Sequence, residues 1–323
     1  MHRRIALVTV ALACLSAGCA SSRSTATRTS LNALHYVDDP PPTTTTTLPN
    51  REPSWPCKDT DPTPSLAPKL AVPLQGQMGP GTFMYAIKKR GYLKVGVDQN
   101  TLVFGYRRSD GAVVGFDVNL LRDVAQAIFG APDKIRFLSV TSAQRIPAVA
   151  NGTVDIVASL LSITCKRWQQ VDFTNEYFGT YQDVMVRSDS SINSVADLNG
   201  KTVCATKGST SIVNIQRKAP GAKLYPVDFR TDCLVALEEG VVDAISSDDT
   251  ILYGFHAQDP NTKLLDAELE QERYGMAISM KHPEFVRFVN AVLQQSKWPG
   301  YERAALVQHN IPVAPLPAPE YRS

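Results

Sequence analysis

At 323 residues the chain is long enough for one large domain or for two lobes. Its net charge is only +2, with basic and acidic residues interspersed and no basic stripe, which argues against a nucleic-acid partner. Beyond the N-terminal apolar run no stretch is long enough to cross a bilayer, and the absence of CxxC spacing and of clustered histidines gives a zinc site no support.

In chain order, Arg3 and Arg4 precede an apolar run over 5–15, too short to span a membrane but suited to a signal-peptide core, so residues 1–18 are expected to direct export. The run closes on Leu15-Ser16-Ala17-Gly18-Cys19, which resembles the lipobox of bacterial lipoproteins, with the leucine one place further from the cysteine than usual. That resemblance makes Cys19 the acylated mature N-terminus. Residues 19–80 are rich in Pro, Ser and Thr, including Pro40-Pro41-Pro42 and five threonines over 43–47, and read as an extended tether. The Pro-rich residues 306–323 read as an unstructured tail. Beyond the acylated Cys19 stand Cys57, Cys165, Cys204 and Cys233, an even number in a compartment where disulfides persist, so two bridges are expected.

Between tether and tail, short apolar strands alternate with helical segments, the pattern of an α/β fold with largely parallel sheets. A helix over 83–90 ends at Gly91, a strand covers 92–97, and 113–117 lead into a helix running to Phe129. Another helix is expected over 143–149 and a strand over 154–160. Residues 183–187 read as an extended crossing into a second α/β unit, with strands at 201–206 and 244–247 and helices from Ser209 and over 233–239. A strand over 274–279 returns to the first unit, and a helix over 283–295 packs on it. Two crossings between two lobes define a hinge, with lobe 1 over 81–186 and 273–305 and lobe 2 over 187–272.

Four segments occur in a telling order: Val114-Gly115-Phe116-Asp117-Val118, Asn151-Gly152-Thr153-Val154-Asp155, Val171-Asp172-Phe173-Thr174 and Asp197-Leu198-Asn199-Gly200-Lys201. Together they resemble the polar-amino-acid periplasmic binding proteins, the solute-binding components of ABC transporters, and most of all the glutamine- and glutamate-binding lipoproteins of actinobacteria. The likeness spans 83–295; Lys297-Trp298-Pro299-Gly300-Tyr301 is only a loose echo of the segment that closes the family. The resemblance implies a two-lobed periplasmic-binding-protein fold of type II with the ligand in the cleft. It also implies a monomer that needs no cofactor and hands a free amino acid to an ABC permease or reports it to a membrane sensor.

Holding a zwitterion in a closed cleft requires preorganised donors for its α-carboxylate and an anion for its ammonium. The resemblance gives Arg167 and Ser162 the carboxylate and neighbouring amine, Thr210 the carboxylate, Asp248 the ammonium, and places Thr206 and Leu160 beside the ligand. Gly208-Ser209-Thr210-Ser211 lies where a strand gives way to a helix, whose free N–H groups favour an anion. Arg145 and Ser142, in Thr141-Ser142-Ala143-Gln144-Arg145-Ile146-Pro147, are similar to the residues that meet the distal carboxylate in glutamate and aspartate binders. Asp98 matches an acceptor of the glutamine amide, or neutralises Arg145, or caps a turn. Phe104 and Tyr106 are candidates for the apolar walls of the pocket, with Phe116 and Phe173 in the core. Related actinobacterial proteins pair the positions of Cys204 and Cys233, which leaves Cys57 for Cys165. The same fold also resembles the periplasmic cyclohexadienyl dehydratases, which need a general acid in the pocket. No glutamate, histidine or cysteine beyond the binding set is expected there, so an enzyme is not.

Overall fold

Each lobe is built around a sheet whose parallel strands end at the cleft. The structure is a computed structural model that describes residues 57–58, 61–68, 77–296, 300 and 318–322. The signal segment, Cys19, the threonine run and most of the expected tail lie outside the described residues.

In lobe 1 the sheet runs in the order Ile135–Ser139, Leu93–Val97, Ile156–Val157, Ala277–Ile278, Asp172–Phe173. The first three strands are parallel, and Ala277–Ile278 returns antiparallel between its two neighbours. The helices Phe83–Arg90 and Pro283–Gln295 have the bounds the sequence suggests, and Phe116–Phe129 covers the helix expected to end there. Pro at the first turn of Pro283–Gln295 suits the one place where a missing N–H costs nothing, and its buried face carries Phe285, Val286, Val289 and Val292. In lobe 2 the order is Lys223–Val227, Thr202–Thr206, Ala244–Asp248, Phe178–Arg187, Thr262–Leu264.

The two crossings are Phe178–Arg187 and Glu270–Tyr274, an antiparallel pair in which Glu270 faces Gln182 and Tyr274 faces Phe178. The second lies upstream of the strand expected over 274–279, which the structure breaks at Gly275, whose N–H donates to the Leu161 carbonyl. The break lets the chain leave the hinge at Tyr274 and enter the lobe 1 sheet at Ala277. The strand expected over 154–160 is likewise only Ile156–Val157. Leu160 adopts a φ of 45° and gives its N–H to the buried carboxylate of Asp117, which diverts the backbone from the sheet toward the cleft.

Both disulfides are present: Cys204 with Cys233 inside lobe 2, and Cys57 with Cys165, which ties the expected tether to lobe 1. That tether and the Pro-rich tail are not unstructured throughout. Ser65–Leu66 and Tyr321–Arg322 form a parallel two-stranded sheet on lobe 1. Nδ2 of the fully buried Asn290 donates to Ser65 Oγ at 2.9 Å and to the Leu66 carbonyl at 2.8 Å, while its Oδ1 accepts the Asn175 N–H. Trp168 Nε1 donates to the Pro62 carbonyl, and the Arg322 guanidinium lies over the Trp168 ring and bonds Asp172. These contacts are far apart in sequence, which is why no local pattern announced them.

Asn290→Ala leaves buried backbone groups without partners, a loss of ~2–4 kcal/mol in stability measured by urea denaturation, with residues 57–68 becoming sensitive to protease. A change below ~0.5 kcal/mol would mean that the clasp is incidental.

Candidate functional site

The candidate site residues stand where parallel strands end. Asp98 follows Leu93–Val97, Ser142 and Arg145 follow Ile135–Ser139, Ser159 and Leu160 follow Ile156–Val157, Gly208 follows Thr202–Thr206, and Arg230 follows Lys223–Val227. Ligands of open α/β sheets bind in the crevice outside these carboxyl ends.

Arg145 is among the most buried side chains of the protein. Its Nε donates to the Ser142 carbonyl at 3.1 Å, and its Nη1 donates to the carbonyls of Ser159 and Leu160 at 2.9 Å each. The Leu160 carbonyl is available because Asp117 holds that residue's N–H; Asp117 also accepts the Tyr177 hydroxyl, and burial pushes its carboxyl up to about 7. Burial first, then the nearby Arg167 and Arg230, act to hold the Arg145 guanidinium well below its usual range. A guanidinium does not give up its proton in a protein, so this strain calls for anions near the cluster.

Arg230 was not singled out by sequence reasoning, yet it links the lobes. From the start of helix Arg230–Glu238 its Nη1 donates to Asp98 Oδ2 at 2.6 Å and to Thr101 Oγ1 at 3.2 Å, and its Nη2 reaches Ser142 Oγ at 3.3 Å and the Ser159 carbonyl at 3.5 Å. The Cys204–Cys233 bridge staples the first turn of that helix to its sheet. Asp98 therefore pairs with Arg230 and not with Arg145, and its other oxygen accepts the Asn100 N–H at 2.7 Å. Between the two arginines sits Ser159, whose buried hydroxyl has no hydrogen-bond partner among the described protein groups.

A second contact between lobes joins Arg167 Nη2 to the Gly208 carbonyl at 3.1 Å, while Arg167 Nη1 donates to the Ser162 carbonyl at 2.6 Å. Gly208 has a φ of 76°, and a Cβ there would stand 2.6 Å from the Ala143 Cα of the opposite lobe. Glycine is thus required by both the backbone and the closeness of the lobes. Beyond it, Ser209 turns its hydroxyl back to the Thr206 carbonyl at 2.6 Å and leaves the helix Thr210–Lys218 without a side-chain cap.

Asp248 and Glu272 form the acidic side. Asp248 ends its strand buried, accepts the Tyr274 hydroxyl, and lies near enough to Arg230, Arg145 and Arg167 for all three to counter the upward push of burial on its carboxyl. Glu272, from the hinge strand Glu270–Tyr274, is 2 % exposed and accepts hydrogen bonds from the Ser162 and Thr210 hydroxyls. Burial and then Asp248 push its carboxyl up to about 8. The expectation that the pocket holds no further glutamate is therefore wrong. Glu272 was missed because Glu270-Gln271-Glu272-Arg273 reads as a solvated edge; its position two residues before the buried Tyr274, on the same face of a strand, was the available signal.

The other expected residues divide. Ser142, Arg145, Leu160, Ser162, Arg167, Thr210, Asp98 and Asp248 converge as described. Thr206 is buried at the base of the Gly208 turn. Phe104 belongs to the core: it is 0 % exposed and meets Phe116, Phe178 and Tyr274 edge-on at centroid distances of 5.8, 5.1 and 6.2 Å. Tyr106 is exposed on the small sheet beside it. Asp249, which opens helix Asp249–His256, is partly buried, bonded by the Thr180 hydroxyl, and raised to about 6 by burial. Among the described residues no group of histidine, cysteine, aspartate and glutamate has the arrangement of a metal site.

Residues 93–302 match the bacterial extracellular solute-binding proteins, family 3. The chain belongs to that family. This solute-binding protein is 40 % identical over 192 residues to the glutamine-binding protein of Geobacillus stearothermophilus, covering 59 % of this chain and 73 % of the relative. It is 31 % identical over 234 residues to the glutamate-binding protein GluB of Corynebacterium glutamicum, covering 68 % and 79 % of the two chains. Among solved structures it resembles the cysteine-binding protein of Campylobacter jejuni, with a TM-score of 0.68 and 28 % identity over 71 % of this chain and 94 % of that one. The two-lobed α/β fold is that of these amino-acid-binding proteins. The family is extracytoplasmic, and no described helix of this member is long and apolar enough to cross a membrane.

Two outcomes follow from the buried acids and from the closeness at Gly208. Glu272, Asp117 and Asp249 bind protons more tightly folded than unfolded, with carboxyls at about 8, 7 and 6 against ordinary values of 4.5, 3.8 and 3.8. Their contribution to stability is greatest at low pH and is lost as pH rises through those values, so calorimetric melting of the ligand-free protein is expected to fall from pH ~5 to pH ~8. Melting that rises across this window would contradict the burial of these groups. Gly208→Ala is expected to hold the lobes apart, seen as a larger radius of gyration by small-angle scattering; a radius equal to wild type would show that the lobes do not meet there.

Proposed function

We propose that this protein captures an amino acid with an acidic side chain, L-glutamate or L-aspartate, by closure of its two lobes, and delivers it to an ABC permease while tethered through acylated Cys19. The observation that carries the acidic preference is the pairing of Arg145 and Arg230 about Ser142 and Ser159, one arginine from each lobe. Two guanidinium groups at one end of a dry cleft favour a carboxylate there. Asp98 already accepts from the Arg230 guanidinium and the Asn100 N–H, so its charge is spent on a protein cation and favours a ligand amide less.

In this reading the α-carboxylate lies between Arg167 and the uncapped start of Thr210–Lys218, and the ammonium meets Asp248. Because each end of the ligand touches both lobes, its binding energy stabilises the closed arrangement, and a membrane partner that recognises this arrangement reads occupancy. No bond of the ligand has to be broken. The relatives named for glutamine and for glutamate both support an amino acid of this size.

Isothermal titration with L-glutamate, L-aspartate and L-glutamine tests the reading. The acidic ligands are expected to bind at least tenfold more tightly than glutamine, and Arg145→Ala or Arg230→Ala to weaken glutamate by about a hundredfold while changing glutamine far less, given ~2–3 kcal/mol for a charge-assisted contact. Tighter binding of glutamine by the wild-type protein would sink the acidic preference.

A further inference from the structure

Resting on the amino-acid reading, we propose that Glu272 is the charge-balancing residue of the cleft, protonated in the complex with an acidic amino acid and ionised in the complex with a neutral one.

The cleft brings together Arg145, Arg167 and Arg230 with the carboxylates of Asp98 and Asp248, and each arginine acts electrostatically on a neighbour in the set. Asp98 is committed to Arg230. With Glu272 neutral the set carries one positive charge in excess; with Glu272 ionised it carries none. Glutamate or aspartate brings one net negative charge and glutamine brings none, so each class of ligand leaves the closed cleft neutral with a different state of Glu272. Uncompensated charge is costly where water cannot screen it, and Glu272 is 2 % exposed.

The hydrogen bonds around Glu272 allow both states. Ser162 comes from lobe 1, and Thr210 and Asn214 come from lobe 2; the two hydroxyls bond its carboxylate, and Asn214 Nδ2 lies 3.4 Å from Oε1. A hydroxyl donates or accepts as its rotor turns. When Glu272 is ionised both hydroxyls give it their protons. When it is protonated it donates to one of them, and that hydroxyl is freed to donate to a ligand carboxylate. The charged groups acting on Glu272 are Asp248 and Arg167, with the Tyr274 phenol bonded to Asp248 beside them. Asp117 lies behind Leu160, acts on Arg230 and Asp98, and keeps both its donors in lobe 1. A carboxyl already held at about 8 in the ligand-free cleft is poised for this exchange near neutral pH.

The sign follows from linkage. An anionic ligand raises the Glu272 proton affinity further, so glutamate affinity is highest below about 8 and declines as pH rises through that value. Titration calorimetry of the oxidised protein with L-glutamate and L-glutamine, from pH ~6.5 to ~9.5 and in two buffers of different ionisation enthalpy, reads both affinity and proton exchange. The ratio of the two affinities cancels the common titration of the ligand amine. Above pH 8 the preference for glutamate is expected to fall by up to roughly tenfold per pH unit, with more proton uptake on glutamate binding than on glutamine binding, where only the ligand amine contributes. Glu272→Gln should make the ratio independent of pH and abolish the excess uptake seen with glutamate. A pH-independent ratio in the wild-type protein, which requires no variant to fold, or a slope retained in Glu272→Gln, would overturn the inference while leaving the amino-acid site intact. Binding of neither ligand would overturn the ligand class itself.

Discussion

Three guanidinium groups that cannot shed their charge are brought together in one cleft, Arg145 and Arg230 buried and Arg167 partly buried, and the rest of the structure answers that constraint. Arg145 is satisfied by three backbone carbonyls, Arg230 by Asp98, Thr101 and Ser142, and Arg167 by the carbonyls of Ser162 and Gly208. Each solution uses backbone or side chains held by something more distant. Asp117 fixes Leu160, the Cys204–Cys233 bridge fixes the helix that begins with Arg230, and the Cys57–Cys165 bridge fixes the turn that carries Arg167. Preorganisation of this kind lowers the ordering cost that a ligand would otherwise meet on binding.

The same logic explains the clasp on lobe 1. Helix Cys165–Trp168 is a single turn, too short to hold its own geometry. It is pinned by the disulfide on one side, by Trp168 bonded to Pro62 on another, and by Arg322 stacked on the indole. Segments from both ends of the chain therefore serve the positioning of one cleft arginine. In the chain-entropy description, closing a loop of about a hundred residues is worth ~4–5 kcal/mol, a large share of a typical domain's stability.

What could be read in advance was whatever repeats locally. Pro283–Gln295 and Phe83–Arg90 carry apolar residues at helical spacing between clear start and stop signals, and their bounds were legible. Arg145, Arg167 and Asp248 were expected together because the short segments around them are similar to the site of a known family, and the structure brings them to one cleft. Arg230 and Glu272 were not. Arg230 lies in Asp228-Phe229-Arg230-Thr231-Asp232, where flanking acids suggest a solvated face, and its burial exists only because a second lobe closes over it. Glu272 is hidden in the same way, by Ser162 of one lobe and Thr210 of the other. Phe104 went to the core and not to the pocket because three other rings, two of them from the hinge strands, converge on it. Tertiary encounters of this kind override local pattern, and a functional cleft is where they concentrate.

A crystal structure of the protein with bound L-glutamate addresses the central claim most directly, because the position of each ligand charge can be measured against each guanidinium. The α-carboxylate is expected within ~3 Å of Arg167 and of the N–H groups that open Thr210–Lys218, with the distal carboxylate between Arg145 and Arg230. A ligand lying outside the cleft, or one whose distal carboxylate touches neither Arg145 nor Arg230, would show that the buried cations serve the fold and not an acidic amino acid.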